Sequence, residues 1–259
     1  MQMTSRTLQW INAGEDFPSV EDAWGIKDPA PGLLVAGGAL DVASLVEAYS
    51  QGIFPWFSEG QPILWWSPDP RTVLVPQNFK LHRSLRKTLT RFTNDVGSEI
   101  KFNSAFEQVI KSCALKSRVG QPGTWIVPDM IEAYCNLHKA GHAHSIETWI
   151  NGELAGGLYC VSLGRMVFGE SMFSYQTDSS KIALSALVAF CRVHHITMID
   201  CQQHTQHLES LGSTRINRGD FVKHLDQFVG MSTPKWQFEP GYWDAILTGT
   251  AGLKPLITA

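Results

Sequence analysis

From His144 to Gln202 the polar and apolar positions repeat in a recognisable order: three strand-like stretches, a polar gap, an apolar helical run and a fourth short strand. Side chains alternate across a strand, and HSIETWI, ELAGGLYCVSL and RMVFGESMF each place β-branched or aromatic residues between turn signals. Asn151-Gly152 separates the first two. Both residues tolerate positive φ, so the pair predicts a tight hairpin. Leu163-Gly164 turns the chain into the third stretch. Thr177-Asp178-Ser179-Ser180 offers N-cap oxygens. The run KIALSALVAFCRVHH is apolar almost all round, which predicts a helix buried against the sheet. TMIDCQ closes the unit as the fourth strand.

Period-two alternation puts Asp200 and Gln202 on one face, and Glu170 on a face with Phe168 and Met172. Where those faces meet, two carboxylates and an amide lie in an apolar cleft, the setting that raises a carboxylate pKa and creates a base. The alternative is plainer: Asp200 ends a strand and Glu170 is solvated.

The flanking chain is less regular. Residues 1–30 carry scattered aromatics and two prolines, and read as an arm without a core of its own. PGLLVAGGAL follows, then Asp41 as N-cap of VASLVEAYSQG with Gly52 as its stop. Residues 52–71 hold three tryptophans, two phenylalanines and four prolines. Proline fixes φ and removes a donor, so this stretch predicts a rigid aromatic loop rather than a central strand. It either plugs the core or forms a wall that stacks a base. Residues 80–94 contain five Lys/Arg and no acid. On a helix Leu81, Leu85, Leu89 and Phe92 make one stripe, and Lys80, Arg83, Lys87 and Arg91 the opposite face. Such a face is either solvated or a phosphate contact. Residues 100–140 predict two helices around GQPGTWIVPD, the second running from Pro128-Asp129 to Gly141. Residues 205–230 predict a short helix, a stop at Gly212 and an amphipathic stretch; the chain beyond Trp243 is weakly patterned.

Composition narrows the class. With 259 residues, 44% hydrophobic and 17% charged, the chain can bury a sizeable globular core. A net charge of −3 confines any nucleic-acid contact to a local patch. Five widely spaced cysteines form no CxxC pair, so a reducing compartment is expected, with neither zinc nor disulfides. His142-Ala143-His144 lacks a third metal ligand nearby. No signal pattern and no long apolar run appears, so a cytoplasmic protein without membrane contact is expected. The strand–strand–strand–helix–strand order is that of acetyltransferase-like folds, so the expected class is α+β with a mixed sheet, in one large domain or two. Coenzyme A is disfavoured, because SYQTDSSK at the helix start has no glycine-rich pyrophosphate cradle.

GIFPWF, PILWWSPDPR, GTWI, GHAHSIE, GGLY, FGESMFS, IDCQ and HLESLG occur together and in order, and by them the chain resembles the leucyl/phenylalanyl-tRNA–protein transferase family over roughly residues 30–240. It departs at Ala39, where the family has Asp; at Cys160, where the family has Gly; and at Gln51, where the family has Arg or Lys. The resemblance implies transfer of Leu or Phe, with Met as leakage, from aminoacyl-tRNA to the N-terminal Arg or Lys of a protein. The product is marked for N-end-rule degradation, and neither cofactor nor metal is used. The implied fold is a small N-terminal domain, 1–75, followed by an acetyltransferase-like mixed-sheet C-terminal domain, 76–240, and a 241–259 tail. It further implies Asp200 and Gln202 as the catalytic pair, with Glu170 beside the cationic acceptor or supporting Asp200. Met172 and Leu158 would line the donor pocket; Trp56, Trp125 and Tyr49 would hold the terminal adenosine and the donor. Lys80, Arg83, Lys87 and Arg91 would bind the tRNA stem. Two rivals are a tRNA-dependent acyltransferase on a non-protein amine and a non-catalytic RNA-binding recruitment module. A serine hydrolase lacks its GxSxG elbow.

Overall fold

The computed structural model describes residues 7–115 and 126–248. The N-terminal part contains β1 (Gln9–Ile11), β2 (Leu33–Gly37), α1 (Val42–Ser50), β3 (Phe54–Pro55) and β4 (Leu64–Trp66). The remainder runs β5 (Arg71–Leu74), α2 (Arg83–Asn94), β6 (Ser98–Phe102), α3 (Phe106–Leu115), α4 (Pro128–Lys139), β7 (Ala143–Ile150), β8 (Glu153–Leu163) and β9 (Met166–Ser174). It ends with α5 (Ser179–Val193), β10 (Ile199–Gln202), α6 (Gln206–Ser210), β11 (Thr214–Ile216), α7 (Arg218–Phe228) and α8 (Asp244–Leu247).

Two sheets organise these elements: one of four strands, ordered β1-β2-β4-β3, and one of seven, ordered β11-β5-β10-β9-β8-β7-β6. The fold is α+β, with the β7-β8-β9-α5-β10 order expected of an acetyltransferase-like core. β7, β8 and β9 form an antiparallel meander, and α5 crosses over so that β10 pairs parallel with β9. Asn151 and Gly152 have φ of 52° and 79°, the double positive φ that a two-residue hairpin of matching twist requires. Asp41 caps α1 by accepting from the Ser44 N–H at 2.9 Å, and Gly52 stops it at φ 77°.

Four expectations are corrected. The N-terminal arm is partly ordered into a sheet, since β1 pairs parallel with β2. The aromatic stretch contains a central strand: β4 lies between β2 and β3, and its prolines, Pro62 and Pro68, fall outside the paired residues. Residues 98–102 form strand β6 on the sheet edge instead of opening a helix. The basic helix starts at Arg83, so Lys80 lies just before it. Three residues of its expected apolar stripe, Leu85, Leu89 and Phe92, are buried on it, whereas Leu81 precedes the helix and is half-buried.

One face of the large sheet packs on α1, α3, α4, α7 and the small sheet; the other packs on α2, α5 and α8. Tyr49 of α1 meets Phe168 of β9 at 5.0 Å between ring centres, so the small sheet's layer and the large sheet share one core. β5 pairs with β10 and β11 in the large sheet although it precedes residue 75. In the segment assigned to the tail, Trp243 and Ile246 are buried.

Candidate active site

β9 and β10 pair only at Val167–Ile199 and Phe168–Asp200 and then separate. A cavity of about 630 Å³ occupies the gap, lined by Gly169, Glu170 and Met172 from β9 and Ile199, Cys201 and Gln202 from β10. Leu158, Leu184 and Leu187 extend its apolar wall, Trp56 forms another side, and Gln203, Thr205, His207 and Leu208 form a rim.

Glu170 and Gln202 owe their direction to bulges. On β9, Tyr159 faces Ser171 and Cys160 faces Gly169, leaving Glu170 as the extra residue. Alternation therefore slips: Phe168 packs in one core layer and Met172 in the other. On β10, Asp200 faces Val73 and Gln202 faces Thr72, so Cys201 is the extra residue. Gln202 adopts φ 58°, a left-handed conformation that an ordinary strand residue avoids. The expectation that Asp200 and Gln202 share one face is thus corrected, as is that for Glu170, Phe168 and Met172. A bulge shifts the side-chain period by one residue in each strand.

The two carboxylates have opposite surroundings. Asp200 is fully buried and does not line the cavity. Arg71 of β5 grips it with two parallel hydrogen bonds, Nε to Oδ1 at 2.9 Å and Nη2 to Oδ2 at 2.7 Å. Oδ1 also accepts the Gln202 backbone N–H at 2.8 Å, which holds the left-handed turn. Arg71 is itself fixed by donating to the Gly52 carbonyl and by the Phe54 and Phe221 rings, 4.8 and 4.6 Å from the guanidinium carbon. Glu170 has no such cation. It accepts from Tyr49 Oη at 2.8 Å and Gln202 Nε2 at 3.0 Å. Tyr134 Oη, 3.4 Å from the carboxylate, gives its single proton to Tyr49 Oη at 2.5 Å. Burial raises the Glu170 carboxyl to about 7, opposed by the hydrogen bonds from Tyr49 and Gln202. Desolvation, with the Glu170 charge second, pushes both tyrosine hydroxyls well above their usual range, so they remain donors.

The other expected site residues are distributed as follows. Trp56, Leu158, Met172, Glu170 and Gln202 line the cavity. Tyr49 is fully buried and reaches it only through Glu170. Trp125 lies outside the described residues. Lys80, Arg83, Lys87 and Arg91 are all exposed. The helix that carries the last three is joined to α5 by Thr88, which donates to Asp178 at 3.4 Å, two residues before the cavity-lining Ser180. Of the N-cap candidates Thr177 to Ser180, Asp178 takes the cap position but makes no side-chain cap bond; its carboxylate accepts from Lys181 and Thr88 instead. His144 stacks on Trp236 at 4.0 Å, and burial lowers it to about 3. No cluster of metal-ligating side chains exists among the described residues. Arg71 and Tyr134 were not anticipated. The available signal for Arg71 was an arginine entering the apolar run TVLV while an aspartate sat in IDC, since a buried charge requires a partner.

A mixed sheet thus splays over a largely apolar cavity with one carboxylate, Glu170, in its wall. Two family models match: leucyl/phenylalanyl-tRNA protein transferase over residues 73–226, and the N-terminal domain of the same family over residues 38–69. A leucyl/phenylalanyl-tRNA--protein transferase of Polaromonas sp. is 68% identical over 243 residues, 94% of this chain and 95% of that protein. The protein of the same name from Albidiferax ferrireducens is 57% identical, covering 93% and 95%. Among solved structures, a GCN5-related N-acetyltransferase from Kribbella flavida matches 64% of this chain and 57% of its own at 9% identity and a TM-score of 0.31, a likeness that carries no argument. The chain belongs to the leucyl/phenylalanyl-tRNA protein transferase family and is an aminoacyltransferase.

Proposed function

We propose that this protein transfers leucine or phenylalanine, with methionine as leakage, from aminoacyl-tRNA to the N-terminal Arg or Lys of acceptor proteins in the cytoplasm, marking them for N-end-rule degradation. The observation that carries the reading is Glu170: a carboxylate raised to about 7, held by neutral donors at the wall of a cavity whose other wall is apolar. Aminolysis of an ester needs a neutral amine, a proton acceptor and an apolar seat for the donor side chain. The acceptor α-amine attacks the ester carbonyl carbon, the C–N bond forms, and the bond to the ribose 3′ oxygen breaks. Glu170 takes the proton from the amine and returns it to that oxygen.

Gln202 donates to Glu170 through its Nε2, which leaves its side-chain oxygen to orient the acceptor amine. Asp200 is a positioning group in this scheme: both its oxygens are committed to Arg71, and one of them also holds the Gln202 backbone. Leu158 and Met172, with Leu184 and Leu187, seat the donor side chain. A wall of this kind separates side chains by about 1–3 kcal/mol per methylene, which favours Leu and Phe without excluding Met. Trp56 offers a stacking face for the terminal adenosine, and we assign Trp125 to the same end; Tyr49, fully buried, acts on the donor only through Glu170. The exposed cations Lys80, Arg83, Lys87 and Arg91 hold the acceptor stem by its phosphates, without reading bases. No helix among the described residues is long and apolar enough to cross a membrane.

The test is transfer of radiolabelled leucine from leucyl-tRNA to a peptide beginning with Arg, beside the same peptide beginning with Gly. Label on the Arg peptide alone is expected. Label on neither, with tRNA still bound, would replace this reading with a recruitment module.

A further inference from the structure

The segment that forms the cavity rim has little of its own to hold it in place. α6 is five residues long and buries none of them. A helix this short is not stable by propensity, so its position depends on what its ends are tied to. Upstream it continues from the bulged end of β10. Downstream it is tied to the foot of the basic helix. The Lys80 backbone N–H donates to the Leu211 carbonyl at 2.9 Å, and His82 Nε2 lies 2.6 Å from the Ser210 carbonyl. A carbonyl only accepts, so His82 is the donor. Gly212 lets the two segments close: a Cβ there would stand 2.6 Å from the Asn78 carbonyl oxygen.

His82 occupies the N-cap position of α2, where a side chain ordinarily accepts from its own helix. Its ring makes no such bond and turns to the rim instead. It stands between Lys80 and Arg83, two of the four cations assigned to the tRNA stem. His207 and Leu208, three and two residues before the carbonyl it holds, line the cavity.

We infer that His82 is a positioning residue that ties the rim of the donor cavity to the surface on which the tRNA stem rests. Seating the stem phosphates on Lys80 and Arg83 then fixes His207 and Leu208 around the aminoacylated 3′ end. This rests on the aminoacyl-tRNA reading above. The link matters only when a stem is present, which separates it from a role in folding or in the chemical step.

The experiment compares two donors, full-length leucyl-tRNA and the 3′-leucyl ester of adenosine, in the wild type, His82→Ala and His82→Gln. His82→Ala is expected to lower kcat/KM for leucyl-tRNA about fivefold, the effect of one net hydrogen bond, and to leave the adenosine ester unchanged. Glutamine retains an N–H donor of similar reach and should restore most of the loss. The Lys80–Leu211 bond survives in both variants, so the rim stays folded and Tm should not move. Equal losses with both donors, or no loss with either, would overturn the inference while leaving the transferase reading intact. Failure of the wild type to transfer from leucyl-tRNA would instead remove the reading on which it rests.

Discussion

Asp200 and Glu170 sit on neighbouring strands, share Gln202 as a partner, and have been given opposite fates by what else surrounds them. Asp200 is sealed against an arginine that is itself clamped by two aromatic rings and a carbonyl. Glu170 is surrounded by two tyrosines and an amide, neutral groups that stabilise a carboxylate without supplying a charge. A buried carboxylate committed to an arginine serves the structure. An unpaired one is drawn toward neutrality and becomes able to exchange a proton near pH 7. Of the two regions, only the second opens to the cavity.

The contrast can be broken from either side. Glu170→Gln keeps an acceptor oxygen for Tyr49 and removes the proton acceptor. Single-turnover transfer should fall by about 10²–10⁴-fold, the usual contribution of a positioned general base, while donor binding persists. Arg71→Met should damage stability before chemistry, because it strands the Asp200 charge in the core. Loss of one partner of a buried pair costs about 3–5 kcal/mol, readable in chemical denaturation. A variant as stable as the wild type would mean that Asp200 is not held as described. The smallest effect is expected away from both carboxylates. Lys87→Glu should reduce the slope of log affinity for tRNA against log salt by about 1, leaving kcat with the adenosine ester unaltered. An unchanged slope would return that helix face to solvent.

The same contrast shows what the sequence could disclose. Alternation, the Asn151-Gly152 turn and the Asp41 cap each act over a few residues, and the structure contains all three. The core order β7-β8-β9-α5-β10 was legible for that reason. The cavity was placed near the right strands, yet the facing of its polar residues was not legible. Glu170 and Cys201 are surplus residues, defined by which partner residues they fail to pair with, and pairing across strands is invisible in a single chain. Arg71 was hidden likewise: its partner is 129 positions away. β4 was missed because its prolines flank the paired residues, a distinction that composition over a window cannot make.

The most direct measurement is the pH dependence of single-turnover transfer from leucyl-tRNA to an Arg-initiated peptide, in the wild type and in Glu170→Gln. A Glu170 base is active when deprotonated, so the rate should rise as pH climbs through about 7. Its contribution grows about tenfold from pH 6 to pH 8. The acceptor amine adds its own inflection near 8, present in both proteins. The wild type should therefore show two ionisations and Glu170→Gln only the acceptor's. Identical profiles in the two proteins, or loss of the lower ionisation in Asp200→Asn with Glu170 intact, would assign the proton to the other carboxylate.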